Sequence, residues 1–306
     1  MPTKVLLAAP RGYCAGVERA VEAVERALGT HGPPVYVRKQ IVHNAHVVRD
    51  LEAKGAIFVE EETEVPEGAV VVLSAHGVAP EVYANAERRG LTVLDATCPL
   101  VTKVHLEARR FADRGRTIVL IGHAGHEEVV GTTGQAPGGT ILVQTVEEAR
   151  SVQVADAGNL SYLTQTTLSV DETNEIVDAL RERFPTIQGP PREDICYATQ
   201  NRQDAIKEVA RRSDVVLVIG SDNSSNSNRL AEVARDLGTP AYLVDDESEV
   251  DPAWLDGADV VGLTSGASAP ERLVDRLLAW LAAQGATEVE ELRLREEHLR
   301  FSDVRV

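Results

Sequence analysis

The chain has 306 residues, 43% of them hydrophobic and 26% charged, which are globular values and exclude disordered, collagenous and mucin-like chains. Acidic residues outnumber basic ones by 48 to 31, a net charge of −17, and so negative a surface repels phosphate backbones and anionic lipid. Neither nucleic acid nor a membrane is the expected partner, and an anionic ligand would need a local site that overrides the global field.

No apolar run approaches the ~18 residues of a membrane span. Residues 1–9 contain one Lys and a strand-like stretch without a signal-type apolar region, so the expected location is the cytoplasm. Three widely spaced cysteines with no Cys-x-x-Cys pair argue against a disulfide framework, a zinc ribbon and a thioredoxin motif.

In chain order, short β-branched runs alternate with segments of helical period, the signature of parallel βα units. Residues 5–9 form a strand that runs into Pro10-Arg11-Gly12-Tyr13-Cys14, and Val17, Ala20, Val21, Val24, Ala27 and Leu28 then mark a helix face. Polar corners follow at Gln40-Ile41-Val42-His43-Asn44 and Leu73-Ser74-Ala75-His76-Gly77. Strand 91–95 leads into Ala96-Thr97-Cys98-Pro99, and corners recur at 122–128 and 163–167. Asp194-Ile195 reads as a strand end before Cys196, followed by corners at 220–228 and 263–268. Leu273, Val274, Leu277 and Leu278 mark a last helix, and the tail after Gly285 reads as a surface strand with a charged end.

Nine corners, three for each cysteine, define a repeat of pattern rather than of sequence. The expected fold class is α/β, with three pseudo-repeated α/β/α units of mainly parallel sheets around a central metal centre. Their boundaries are 14–97, 98–195 and 196–281, with strand 1–13 joining the third and 282–306 as a tail. Ligands of open α/β sheets bind beyond the carboxyl ends of strands, where these corners lie.

A single buried Cys is usually a small core residue, but three at matching corners suit a metal site built from distant segments. Zinc with three Cys and a His is one option. An iron–sulfur cluster with three protein ligands, leaving one iron open, is the other. His43, His76 and His126 occupy matching corners and suggest a shared polar pocket. His31, His105 and His298 read as packed or solvated, and His46 as a helix-surface residue. Asn223-Ser224-Ser225-Asn226-Ser227-Asn228 caps a helix and offers uncharged donors to an anion. Gly266-Ala267-Ser268-Ala269-Pro270-Glu271 is a similar device. Neither a Walker loop nor a dinucleotide fingerprint is present.

Taken in order, Arg11-Gly12-Tyr13-Cys14-Ala15-Gly16-Val17, Ile41-Val42-His43-Asn44, Ser74-Ala75-His76-Gly77-Val78, Asp95-Ala96-Thr97-Cys98-Pro99, Gly125-His126-Glu127-Glu128-Val129, Thr164-Gln165-Thr166-Thr167-Leu168-Ser169 and the run 223–228 resemble the 4-hydroxy-3-methylbut-2-enyl diphosphate reductase (IspH/LytB) family. The resemblance extends from about Lys4 to about Leu278. Tyr13 stands where Phe is also familiar in that family.

The resemblance implies a three-lobed fold around a 4Fe-4S cluster with three cysteine ligands and an open iron. It implies reductive removal of the allylic hydroxyl, giving isopentenyl and dimethylallyl diphosphates, the final step of the non-mevalonate isoprenoid route. By the same resemblance Cys14, Cys98 and Cys196 are the cluster ligands. His43, His76, His126, Thr166, Ser224, Ser225, Asn226 and Ser268 line the diphosphate substrate. Glu128 is the proton donor and Thr166 its relay or orienting hydroxyl, with Gln165 and Thr167 as neighbours; Glu127 is expected to face away. Reduced ferredoxin or flavodoxin is the implied electron donor. Two readings from other classes are a cluster-bearing redox or iron sensor, which needs neither Glu128 nor the Ser/Asn corners, and a zinc hydrolase using His43, His76 and Glu128. Iron with sulfide, against zinc, separates the cluster readings from the hydrolase.

Overall fold

A computed structural model describes residues 2–305. The fold is α/β, and the described strands form three sheets of five, four and three strands, every pair of them parallel. The chain divides into two compact units. One holds residues 1–18, 42–50 and 197–300; the other holds 19–41, 51–196 and 301–306.

The first unit contains the five-stranded sheet. Its strands are β1 (Lys4–Ala9), β9 (Val215–Ile219), β10 (Ala241–Val244), β11 (Val260–Ser265) and β12 (Glu288–Arg293), in the order β10-β9-β11-β1-β12. Alternation along the strands sends side chains to two faces. Val5, Leu7, Val215, Leu217, Val261 and Leu263 pack on one face with Leu273, Val274, Leu277 and Leu281 of α10 (Glu271–Ala283). Leu6, Ala8, Val216 and Val218 pack on the other with α8 (Tyr197–Ala210) and α9 (Ser225–Asp236). Full burial of a Leu or Val on such a face stabilises by roughly 1.5–3 kcal/mol.

The charged edge strand β12 is held alongside β1 by side chains as well as by its ladder. Lys4 pairs with Glu288 at 2.7 Å and Glu290 at 2.6 Å, and Arg11 with Glu291 at 3.0 Å. The tail thus begins as a strand of this sheet.

The second unit carries two sheets. One has the order β3-β2-β4-β5, from β2 (Val35–Arg38), β3 (Ala56–Val59), β4 (Val70–Leu73) and β5 (Thr92–Asp95). The other has the order β7-β6-β8, from β6 (Thr117–Ile121), β7 (Thr140–Val143) and β8 (Leu160–Thr164). Val104, Ala108 and Phe111 of α4 (Pro99–Asp113) and Val129 of α5 (Glu127–Gly134) cover one face of β6 and β8. Ile176, Val177 and Leu180 of α7 (Val170–Arg183) cover the other.

The repeat is visible in backbone hydrogen bonds. Just beyond the sheets, Ala75 N–H donates to Ile41, Gln165 N–H to Ile121 and Gly266 N–H to Ile219. The cysteines follow the same rule: Cys98 N–H donates to Ala75 O at 3.0 Å, Cys196 to Thr166 O at 3.0 Å and Cys14 to Ala267 O at 3.2 Å. Each cysteine is therefore tied to the corner of one sheet. Cys14 goes with the sheet of β9–β11, Cys98 with that of β2–β5, and Cys196 with that of β6–β8.

One expected strand is absent. Cys14 and Cys98 follow β1 and β5, but no strand precedes Cys196. Pro185, Pro190 and Pro191 lack the N–H a ladder needs, so the segment makes one isolated bridge, Gln188 to Ser161. It is then anchored by a side chain: Asp194 Oδ2 accepts from Thr164 N–H at 3.0 Å, and Asp194 Oδ1 pairs with Lys103 at 3.0 Å.

Candidate active site

The expected site residues fall into two groups, one in each compact unit. In the first unit are Cys14, His43, Ser224, Ser225, Asn226 and Ser268; in the second are Cys98, Cys196, His76, His126, Glu128 and Thr166.

The first group is a linked polar network. Ser224 N-caps α9, its hydroxyl accepting from Ser227 N–H at 3.3 Å, and Ser225 is the first helical residue. The buried Ser227 side chain fills the space a Cβ would take at both Gly220 and Gly266, so only glycines allow these two corners so close to the helix start. Asn226 Oδ1 accepts from Ala267 N–H at 2.8 Å, which fixes the Ser268 corner to α9. Ser268 Oγ donates to His43 O at 2.8 Å, and the His43 ring lies 3.4 Å from Asn223 Nδ2. Burial pushes His43 down to about 4, so the ring is neutral at neutral pH and acts as a hydrogen-bonding group.

Asn223, the first residue of the 223–228 run, belongs to this network, and so does Thr199, whose hydroxyl accepts from Asn226 Nδ2 at 3.4 Å and which the sequence reading does not single out. Thr199, three residues after Cys196, could have been found as the corner's outstanding hydroxyl.

His46 departs from its expected place on a helix surface. Its side chain is only 11% exposed, and Nε2 lies 3.0 Å from Asp246 Oδ2. The partner is 200 residues away, out of reach of any local pattern.

In the second group, His126 is the N-cap of α5, and its Nδ1 accepts from Glu128 N–H at 3.2 Å. In the neutral ring the proton then sits on Nε2, leaving an N–H donor. The His76 and His126 rings meet edge to face with centroids 5.8 Å apart. Glycine makes that approach possible: a Cβ on Gly131 of α5 would stand 3.2 Å from the Gly77 carbonyl group.

Glu128 is 2% exposed. Its Oε1 accepts from Thr166 N–H at 2.6 Å and its Oε2 from Thr166 Oγ1 at 3.1 Å. Burial raises its pKa to about 7 against these bonds, which favour the anion, and nearby Asp194 adds to the rise. Gln165 supports the corner, accepting from His123 N–H at 3.0 Å and donating to Thr167 Oγ1 at 2.9 Å. Glu127 faces Arg38 and Lys39, at 3.7 and 3.8 Å.

The three cysteines form no disulfide and are half-buried. Cys98 is the N-cap of α4, and Cys14 and Cys196 immediately precede α1 (Ala15–His31) and α8. Helix starts favour anionic groups, and thiolate is the ligand of iron–sulfur clusters. Their backbone N–H groups are spent on the corner carbonyls, so it is the thiols that have the chemistry of cluster ligands; among the described residues no three His, Cys, Asp or Glu side chains are gathered as a metal site.

Residues 5–282 match the LytB protein family. The chain belongs to the LytB family. A relative from Acidothermus cellulolyticus, named 4-hydroxy-3-methylbut-2-enyl diphosphate reductase, is 65% identical over 98% of this chain and 88% of its own. A relative of the same name from Xanthomonas campestris pv. campestris is 58% identical over 97% and 96%. Among solved structures, the E-1-hydroxy-2-methyl-but-2-enyl-4-diphosphate reductase of Plasmodium falciparum superposes with a TM-score of 0.96 at 36% identity, covering 99% of this chain and 96% of that one. The LytB fold is thus the fold of this chain. Among the described residues, no helix is long and apolar enough to cross a membrane.

Proposed function

We infer that this LytB-family chain is an oxidoreductase acting on 4-hydroxy-3-methylbut-2-enyl diphosphate, as its relatives are named. It reduces this substrate to isopentenyl and dimethylallyl diphosphates, the last step of the non-mevalonate isoprenoid pathway. Removal of the allylic hydroxyl as water takes two electrons and two protons. One proton goes to the departing oxygen and one to carbon, and two alternative carbon positions account for two products.

The observation that carries the reading is the buried Glu128 bonded twice to Thr166. A carboxyl with a pKa of about 7 is half protonated at neutral pH, which is what an acid for the departing oxygen requires. A sensor that only held a cluster would have no use for it. The anionic substrate, once bound, disfavours ionisation further. Thr166 fixes the carboxyl through both its oxygens and passes or aims the proton through Oγ1.

His43, His76, His126, Thr166, Ser224, Ser225, Asn226 and Ser268 are the proposed substrate contacts. They offer short-range donors in place of cations, with the α9 N-terminus adding its backbone N–H groups. A chain of charge −17 can hold a diphosphate in this way, since oriented donors act where the long-range field is screened.

The LytB family carries a 4Fe-4S cluster; Cys14, Cys98 and Cys196 are its proposed ligands here. When bound, the cluster supplies the two electrons one at a time and an open iron as Lewis acid for the substrate hydroxyl. Reduced ferredoxin or flavodoxin is the proposed electron donor, and the reducing cytoplasm the compartment that keeps three thiols out of disulfides. Anaerobic turnover of the diphosphate substrate with a chemical reductant tests the assignment; a protein with a full, reducible cluster that leaves the substrate intact would refute it.

A further inference from the structure

Arg202 is completely buried. Taking a guanidinium out of water costs several kcal/mol unless it is paired and fully hydrogen-bonded, so an apolar residue would fill the space more cheaply. Its bonds show what the charge is used for. Nη2 donates to Gly12 O at 2.7 Å and Nε to the same oxygen at 3.2 Å, with longer approaches to Tyr13 O at 3.4 Å and Arg11 O at 3.5 Å. These three consecutive carbonyls immediately precede Cys14.

The counter-charge comes from the tail. Glu297 receives Arg202 Nη1 at 3.1 and 3.3 Å and Nη2 at 3.3 Å, and also Asn201 Nδ2 at 2.9 Å. The same helix holds the loop on the other side of the cysteine, where the Tyr197 phenol is hydrogen-bonded to the backbone of Ala15. Gly12, at φ +66°, donates its N–H to Ser265 Oγ at 2.9 Å and so closes the turn.

We propose that Arg202 and Glu297 are positioning residues, a buried clamp by which helix α8 and the C-terminal tail preset the Cys14 loop for cluster binding. This rests on the reading of Cys14 as a cluster ligand. Arginine suits the task because its planar fork of five donors reaches several carbonyls and a carboxylate together, which a lysine cannot do. The tail, which contains no recognisable motif, gains a role through one carboxylate.

The test compares full-length wild type with Arg202→Met, Arg202→Lys and Glu297→Gln. The first readout is the alkylation rate of Cys14 by iodoacetamide after iron removal, followed by mass spectrometry against Cys98 in the same molecules. The second is the rate of cluster loss to a chelator in anaerobic holoprotein. Losing a charge-assisted bond to the loop should speed Cys14 alkylation about tenfold in Arg202→Met, and less in the other two. Cys98 should stay within about twofold, and cluster loss should quicken in the same order as the Cys14 rates. If Arg202→Met fails to fold, the two milder variants carry the comparison.

Unchanged Cys14 rates in folded variants would overturn the proposal, as would equal acceleration of Cys14 and Cys98 or cluster loss that ignores the Cys14 rates. Failure of the underlying reading looks different: Cys14→Ser would keep its full iron, whatever the alkylation rates show.

Discussion

Glu128 and Thr166 meet twice, the backbone N–H of Thr166 reaching Oε1 at 2.6 Å and its hydroxyl reaching Oε2 at 3.1 Å. Both carboxylate oxygens are held by one residue of the neighbouring corner. Glu128→Gln preserves size and reach but has no acidic proton, so kcat should fall by ~100-fold or more with KM and cluster content little changed. Glu127→Gln in the same turn loses only its distant pairing with Arg38 and Lys39, which is worth at most ~1 kcal/mol, and should stay near wild type. Steady-state kinetics on the two variants makes the comparison.

The pH dependence follows from the same pair. Glu128 is competent as an acid while protonated, so kcat/KM should decline as pH rises through about 7. The kcat limb, which reports the substrate complex, should lie higher because the bound diphosphate resists a second anion. Thr166→Val removes a hydrogen bond that favours the carboxylate and should move the limb further up. For stability, a raised folded pKa means that the fold gains relative to the unfolded chain below about 4.5 and loses as pH climbs towards 7. Denaturant midpoints of Glu128→Gln should therefore lack that decline.

Close backbone approach brings His76 to His126. Gly131→Ala would place a Cβ 3.2 Å from the Gly77 carbonyl group and 3.3 Å from His105 Nε2. Overpacking of this kind costs roughly 1–3 kcal/mol, more than the gain of up to about 1 kcal/mol from helix propensity. Stability and substrate affinity should fall together, by denaturation and calorimetry. Gly29→Ala in α1 meets no atom within 4 Å and should stabilise by about 0.5–1 kcal/mol.

Much of this arrangement is legible in the sequence, because the apolar runs end where the polar corners begin. Cys14, Cys98, His76, His126 and Glu128 all stand at strand-to-helix transitions that the β-branched runs mark. The fold departs from that reading where backbone is satisfied by side chains: the proline-rich approach to Cys196 reads as a strand end, yet Asp194 does a ladder's work. Partners far apart in sequence, such as His46 with Asp246 or Arg202 with Glu297, leave no local trace. Helical period says which face is buried, never which charge meets it.

The proposed substrate contacts fall into the two networks. His43→Ala, His76→Ala and Asn226→Ala each remove a group proposed to contact a charged oxygen, a loss of roughly 1.5–3 kcal/mol, or one to two decades in affinity. Asn226→Ala should be the most damaging, since Asn226 also holds Ala267 N–H at 2.8 Å and with it the Ser268 corner. Calorimetric titration of substrate, with the cluster absorbance as a control for loading, checks the order.

Each cysteine should be indispensable. Cys14→Ser, Cys98→Ser and Cys196→Ser should each lose most iron, because the chain has three cysteines in all and none to spare as a substitute thiolate. Iron and sulfide analysis after anaerobic purification gives the answer, and zinc in place of iron would favour a hydrolase.

The most direct measurement is anaerobic turnover. The purified, cluster-loaded chain is mixed with 4-hydroxy-3-methylbut-2-enyl diphosphate and a low-potential reductant, and electrons consumed are counted against products formed. The account predicts two electrons for each substrate, with isopentenyl and dimethylallyl diphosphates as the products and almost none formed by Glu128→Gln. A reduced cluster with the diphosphate left unreacted, or Glu128→Gln turning over at the wild-type rate, would contradict it.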